Sequence, residues 1–141
     1  MEREVMAIAQ WRDEYCTGYE IIDIQHQTLF KIVNQIHAEI LKNSQNQALI
    51  RTQLEAFHQQ AIEHFDLEES LMLEQDYFNY EIHRQIHKAL CAKVKSLLNK
   101  LDQGTEAFPH KVTSVLTDWM IHHIRGEDQQ MIQFFRAKNI V

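Results

Sequence analysis

Apolar positions recur along this chain at steps of three and four in four separate stretches, the spacing of one buried helix face. The first stretch begins near Ile22 and Asp23, with Ile22, His26, Leu29, Phe30, Val33, Ile36 and Ile40 on its stripe. The second, over residues 48–74, aligns Ile50, Leu54, Phe57, Ala61, His64, Glu68, Leu71 and Met72. The third, over 81–101, aligns His83, Ile86, His87, Leu90, Val94, Leu97, Leu98 and Leu101. The fourth starts near Pro109 and runs almost to the end, with Val112, Val115, Leu116, Trp119 and His123 leading its stripe. Polar or turn-prone segments at 43–47, 75–80 and 102–109 separate the four. Gly104 suits a helix C-terminal cap, and Pro109 suits the first turn of the next helix. Residues 1–20 carry no such stripe and read as an irregular arm with Trp11, Tyr15 and Tyr19 as anchors.

Four helices joined by short loops become antiparallel neighbours. The expected fold is therefore all-α: an up-down-up-down antiparallel four-helix bundle with an N-terminal arm, one domain over residues 1–141. Composition agrees. Of three glycines and one proline, none falls between Gly18 and Gly104, so the longest part of the chain has no backbone breaker. A net charge of -6 with no basic stripe argues against nucleic acid as a partner. No apolar run approaches the roughly 20 residues of a membrane span. The start, MEREVMAIAQ, lacks the apolar core of a signal peptide. Cys16 and Cys91 are too few for a disulfide framework and read as free thiols in a reducing compartment, which points to the cytoplasm.

The nine histidines change the picture. Five of them (His26, His64, His83, His87 and His123) occupy core slots in the stripes, and Glu68 joins them four residues after His64. Residues four apart lie one above the other on a helix face and can share a ligand. One buried imidazole is usually satisfied by a hydrogen bond. Five imidazoles and a carboxylate in one bundle core need a common partner, because buried polar groups without partners are destabilising. A metal centre is such a partner. His37, His58, His110 and His122 fall beside the stripes or in a first turn and receive no role.

These residues stand in an order that resembles the hemerythrin family in its bacterial single-domain form. Trp11, Tyr15, Gly18, the run IDIQH at 22–26, HFDLEE at 64–69, HRQIH at 83–87 and WMIHHIRGED at 119–128 carry the resemblance, which covers nearly the whole chain. Phe78 stands where the family often has proline, and His122 where it often has asparagine. The resemblance implies a non-haem di-iron site. His83, His87 and His123 would bind one iron, His26 and His64 the other, and Glu68 and Asp128 would bridge them. Two iron ions (Fe2+/Fe3+) with a bridging oxo or hydroxo group would be the cofactor, and dioxygen the ligand. Imidazole with carboxylate suits iron without any thiolate. Of about twelve positions around two six-coordinate ions, five imidazoles, two bridging carboxylates and the oxygen bridge leave one open, on the ion with two histidines.

The resemblance points to reversible oxygen binding, for carriage, storage or sensing, and to a binding protein rather than an enzyme. The alternative is a di-iron oxidoreductase, or a nitric-oxide- or redox-responsive sensor domain of a larger signalling protein, in which case a signalling domain would be a partner. Cys91, four residues after His87, is the one further reactive side chain on a core face, and it reads as packing.

One spacing remains. Asp128 lies five residues beyond His123, and on a straight helix Glu127 would share the histidine's face instead. However, Met131, Ile132, Phe134 and Phe135 are out of phase with the stripe before His123 by roughly one residue. One extra residue in a π-type turn near Gly126 would produce that shift and bring Asp128 inward.

Overall fold

The computed structural model describes residues 7–42, 46–103 and 111–140, with Lys111 described by its backbone alone. Four helical rods lie side by side. The first three are α1 (Glu20–Ile40), α2 (Gln47–Glu74) and α3 (Tyr80–Asp102). The fourth is composite: α4 (Lys111–His123), a π-helical segment (Ile124–Asp128) and α5 (Gln129–Ala137). α1 packs on α2, α2 on α3 and α1 on α4, while α3 meets the fourth rod through side chains such as His87 against His123. Among the described residues, no helix is long and apolar enough to cross a membrane.

The helix ends follow local chemistry. α1 begins at Glu20, ahead of the expected Ile22, because Asp23 organises the turn before it. Its carboxylate accepts from the Thr17 N–H (2.8 Å), the Thr17 hydroxyl (2.9 Å) and the Gly18 N–H (3.3 Å). Gly18 sits at φ 83°, a left-handed conformation natural to glycine. The described part of the arm, residues 7–19, is also more ordered than an irregular segment. It contains a 3₁₀ turn at Asp13–Tyr15, and Trp11 packs edge-on against Tyr15 and Phe30 at 5.5 and 5.4 Å. α2 starts behind Asn46, whose side chain accepts from the Leu49 N–H at 3.0 Å. It ends at Glu74 as expected; Asp76 turns left-handed, and the Tyr77 N–H returns to the Met72 carbonyl at 2.9 Å. The roles expected of Gly104, Pro109 and His110, and most of the break at 43–47, lie outside the described residues.

The stripes of α1, α2 and α3 bury largely as their periodicity predicts, with Leu71, Ile86, Leu97 and Leu101 only half-buried. α4 departs from expectation. Val115 is 37% exposed, while Thr113, Thr117 and Met120 face the core. The threonines can be buried because their hydroxyls are satisfied locally. Thr117 donates to the Thr113 carbonyl at 2.7 Å, and the Thr113 hydroxyl meets His37 Nδ1 at 3.0 Å.

The apolar core is in two pieces along the bundle. The larger includes Leu29, Phe30, Phe57, Phe65, Leu90, Leu116 and Ile124. The smaller is built on Ile22, Met72, Tyr77, Met131, Ile132 and Phe135. On α1 the change comes between Ile22 and Leu29, and on α2 between Phe65 and Met72, so a polar layer separates the two.

Candidate metal centre

That layer consists of the seven side chains singled out above. His26 comes from α1, His64 and Glu68 from α2, His83 and His87 from α3, His123 from α4 and Asp128 from the π segment. None is more than 3% exposed. Their donor atoms form two overlapping groups: Glu68, His83, His87, His123 and Asp128 in one, and His26, His64, Glu68 and Asp128 in the other. Within each group the atoms lie within 4.8 Å of one another.

The two carboxylates divide their oxygens between the groups. Glu68 Oε2 lies 2.9 Å from His64 Nε2 and 3.7 Å from His26 Nε2, while Oε1 lies 3.2 Å from His87 Nε2 and 3.4 Å from His83 Nε2. Asp128 Oδ2 faces His26 Nε2 at 3.1 Å, while Oδ1 faces His83 and His123 at 3.1 and 3.2 Å. Two ligand atoms about 2.1 Å from one ion and at right angles would be about 3 Å apart. These separations therefore fit a pair of ions bridged by Glu68 and Asp128.

Tautomers make the case stronger. Three imidazoles commit Nδ1–H outward: His64 to Gln25 Oε1 (2.7 Å), His87 to Glu69 Oε2 (2.9 Å) and His123 to Glu127 Oε1 (3.0 Å). Each ring in its neutral form then turns a lone pair inward. His87 Nε2 and His123 Nε2 stand 3.0 Å apart, and His64 Nε2 faces a carboxylate oxygen. Acceptors facing acceptors in a buried site require a cation between them. The Nε2 atoms of His26, His64 and His83 and both oxygens of Glu68 and Asp128 have no hydrogen-bond partner, although all are buried.

With only protein groups acting, protons play the cation's part. Burial by itself would lower the pKa of His26 and His83, but the facing carboxylates of Asp128 and Glu68 outweigh it and raise both to about 9. His123 is raised to about 10 in spite of burial, by Asp128 and Glu127. Burial also disfavours the charged forms of Glu68 and Asp128, yet the facing imidazoles hold both below the usual carboxylate range.

The π segment explains the five-residue spacing. It covers Ile124–Asp128, includes Gly126 as expected, and turns Asp128 into the cluster. Glycine is not sterically required there, since a Cβ at Gly126 would meet nothing within 4 Å.

The family model for the hemerythrin HHE cation binding domain matches residues 17–135. The chain belongs to the hemerythrin family. A bacteriohemerythrin of Stenotrophomonas maltophilia (strain R551-3) is 27% identical over 88% of this chain and 79% of its own. A myohemerythrin of Riftia pachyptila is 30% identical over 91% and 94%. The crystal structure of a wild-type hemerythrin superposes with a TM-score of 0.82 at 28% identity, covering 88% of this chain and 95% of that one.

Beside the two-histidine group, this hemerythrin-family bundle leaves a cavity of about 10 Å³, close to the room one water needs. His26, His64 and His123 meet Leu29, Phe65, Trp119, Met120 and Ile124 around it. Phe65 stacks on His87 at 3.9 Å, and Trp119 on His123 at 4.7 Å. Phe65 is absent from the predicted stripe, although its place four after Ala61 and three before Glu68 marks it as core-facing. Gln25, Glu69 and Glu127 were also missed. Only Glu127, four after His123, carried a local signal. Of the histidines given no role, His37 and His58 are half-buried and His122 is exposed, its Nδ1–H donating to the Asp118 carbonyl at 2.7 Å. Cys91 is half-buried against the larger core, and burial pushes its thiol pKa up.

Proposed function

We propose that this protein binds dioxygen reversibly at a non-haem di-iron centre. His83, His87 and His123 would hold one ion, His26 and His64 the other, and Glu68 and Asp128 would join them. A ferrous pair held by these residues would supply the two electrons that reversible dioxygen binding needs.

The observation that carries this reading is the placement of the cavity. It opens against the imidazole-poor side of an unequal donor set, where a six-coordinate ion would have room for a small ligand. The chain's own contribution is exclusion and orientation. Leu29, Phe65, Met120 and Ile124 keep the cavity apolar and admit a diatomic molecule more readily than a charged one. The outward hydrogen bonds of His64, His87 and His123 hold their rings in one orientation, so ligand exchange need not move the scaffold. Apart from the imidazoles, the described residues of the cavity wall offer no acid or base to a bound molecule, which favours binding over turnover. The free thiols Cys16 and Cys91 suit a reducing setting such as the cytoplasm.

The test is iron content together with the visible spectrum. We expect about two irons per chain, as the two donor groups imply, and a band that appears on adding oxygen to anaerobically reduced protein and disappears under vacuum. Absence of any oxygen-dependent change would end this reading. Sustained consumption of a reductant would favour an oxidoreductase instead.

A further inference from the structure

The two halves of the cluster differ in what stands behind their imidazoles. In the three-histidine group, His87 donates to the Glu69 carboxylate and His123 to the Glu127 carboxylate, at 2.9 and 3.0 Å. In the two-histidine group, His64 donates to the amide oxygen of Gln25 at 2.7 Å. Nδ1 of His26 and of His83 is buried without a hydrogen-bond partner. One group is therefore backed by two carboxylates and the other by none.

A carboxylate behind an imidazole draws on the Nδ1 proton and pushes electron density toward Nε2, making the ring a better donor to a cation. An amide fixes the ring equally well but adds no charge. The two carboxylates are not equivalent. Glu69 Oε1 lies 4.0 Å from Arg84 Nε, which offsets part of its charge, although Arg84 is also engaged by Glu81 at 3.0 Å. Glu127 should therefore act more strongly than Glu69.

We infer that Gln25, Glu69 and Glu127 are positioning residues that make the two metal positions unequal: the three-histidine position fills first and empties last, while the position backed by Gln25 fills second. This rests on the reading that the cluster holds two ions. The weaker position is also the one beside the cavity, so the ion with the less electron-rich imidazoles is the one a small ligand meets.

The test is an anaerobic titration of the chelated full chain with Co2+, read by cobalt absorption and by competition with a chromophoric chelator. The wild type should take two cobalt ions in steps separated by at least about tenfold. Three imidazoles against two would already separate the steps, so the variants decide the role of charge. Gln25→Glu should tighten the second step about tenfold and leave the first within about twofold. Glu127→Gln should weaken the first step by about 10–100-fold, and Glu69→Gln by less, with the second step nearly unmoved. Glutamine keeps an acceptor for the same N–H and nearly the same volume, so a purely structural role would not produce this split. Melting of the chelated variants checks folding; if Gln25→Glu fails it, Glu127→Gln decides, since its side chain is 31% exposed. An unmoved second step in Gln25→Glu, or equal weakening of both steps in Glu127→Gln, would overturn the inference. Failure of the wild type to take a second cobalt ion would instead overturn the two-ion reading beneath it.

Discussion

His123 is held by two acids that are neighbours in the chain. Glu127 receives its Nδ1–H at 3.0 Å, and Asp128 faces its Nε2 at 3.2 Å. His122, one residue earlier, points into solvent and bonds to its own helix. Replacing His123 by alanine should therefore reduce bound iron well below about two per chain, while His122→Ala should leave iron content and melting temperature close to wild type. Iron analysis of the two purified variants makes the comparison. The cavity allows a second test at this scale. Leu29→Phe would fill it without replacing a proposed ligand. We expect iron to be retained, stability to fall by about 1–3 kcal/mol from overpacking, and the oxygen-dependent band to weaken or vanish. An intact band would show that oxygen reaches the centre by another face.

At the scale of the element, the π segment holds one residue more than an α-helix would use over the same length. The extra residue lets positions four and five beyond His123 both reach it. It also sets the phase of Met131, Ile132 and Phe135, which form much of the smaller core. Deleting Gly126 should convert the segment to a plain α-helix. Asp128 would then stand four residues from His123 and keep its face, as would the core residues after it. Inserting one alanine after Gly126 should turn all of them by about 100°. We predict that the deletion folds and keeps most of its iron, whereas the insertion loses iron and melts far lower. Circular dichroism melts and iron content test this. Equal damage by both changes would mean that the bulge does more than adjust phase.

At the scale of the whole molecule, the cluster is where all four rods meet, so its charge state bears on the stability of the bundle. After metal removal, His26, His83 and His123 have pKa values raised to about 9, 9 and 10. The sign follows from linkage: their contribution is fully present below the unfolded value of about 6.5 and is lost as pH rises through about 9 to 10. Glu68 and Asp128, both depressed, contribute above the ordinary carboxylate range and lose that contribution in acid. The chelated protein should thus be most stable near pH 5 to 6, within the roughly 4 to 6.5 window between the two sets, and should weaken toward pH 9. Metal binding requires neutral imidazoles, so loading near pH 7 should release about three protons, one from each raised histidine. Melting curves across pH and proton release in weak buffer test both statements. A chelated protein that gains stability between pH 7 and pH 9 would contradict the proposed linkage.

Much of this was legible in the residue order, for a physical reason. Helical periodicity is a local property, and a residue four places on must fall on the same face. The stripes therefore predicted four rods, the five inward histidines and Glu68, while the phase break after His123 predicted the π segment. Where one face alternates with local polar satisfaction, periodicity misleads: Val115 is exposed because Thr113 and Thr117, their hydroxyls bonded nearby, occupy the inner face instead. The contacts that depend on how the rods are set against one another had no local signal. Glu69 meets His87 from another helix, and Gln25 meets His64 across 39 residues of chain. The sequence by itself thus determined which side chains point inward. Only the tertiary structure decided which oxygen faces which imidazole, which rings are backed by charge, and where the cavity lies, because these depend on the relative placement of rods that no single stretch encodes.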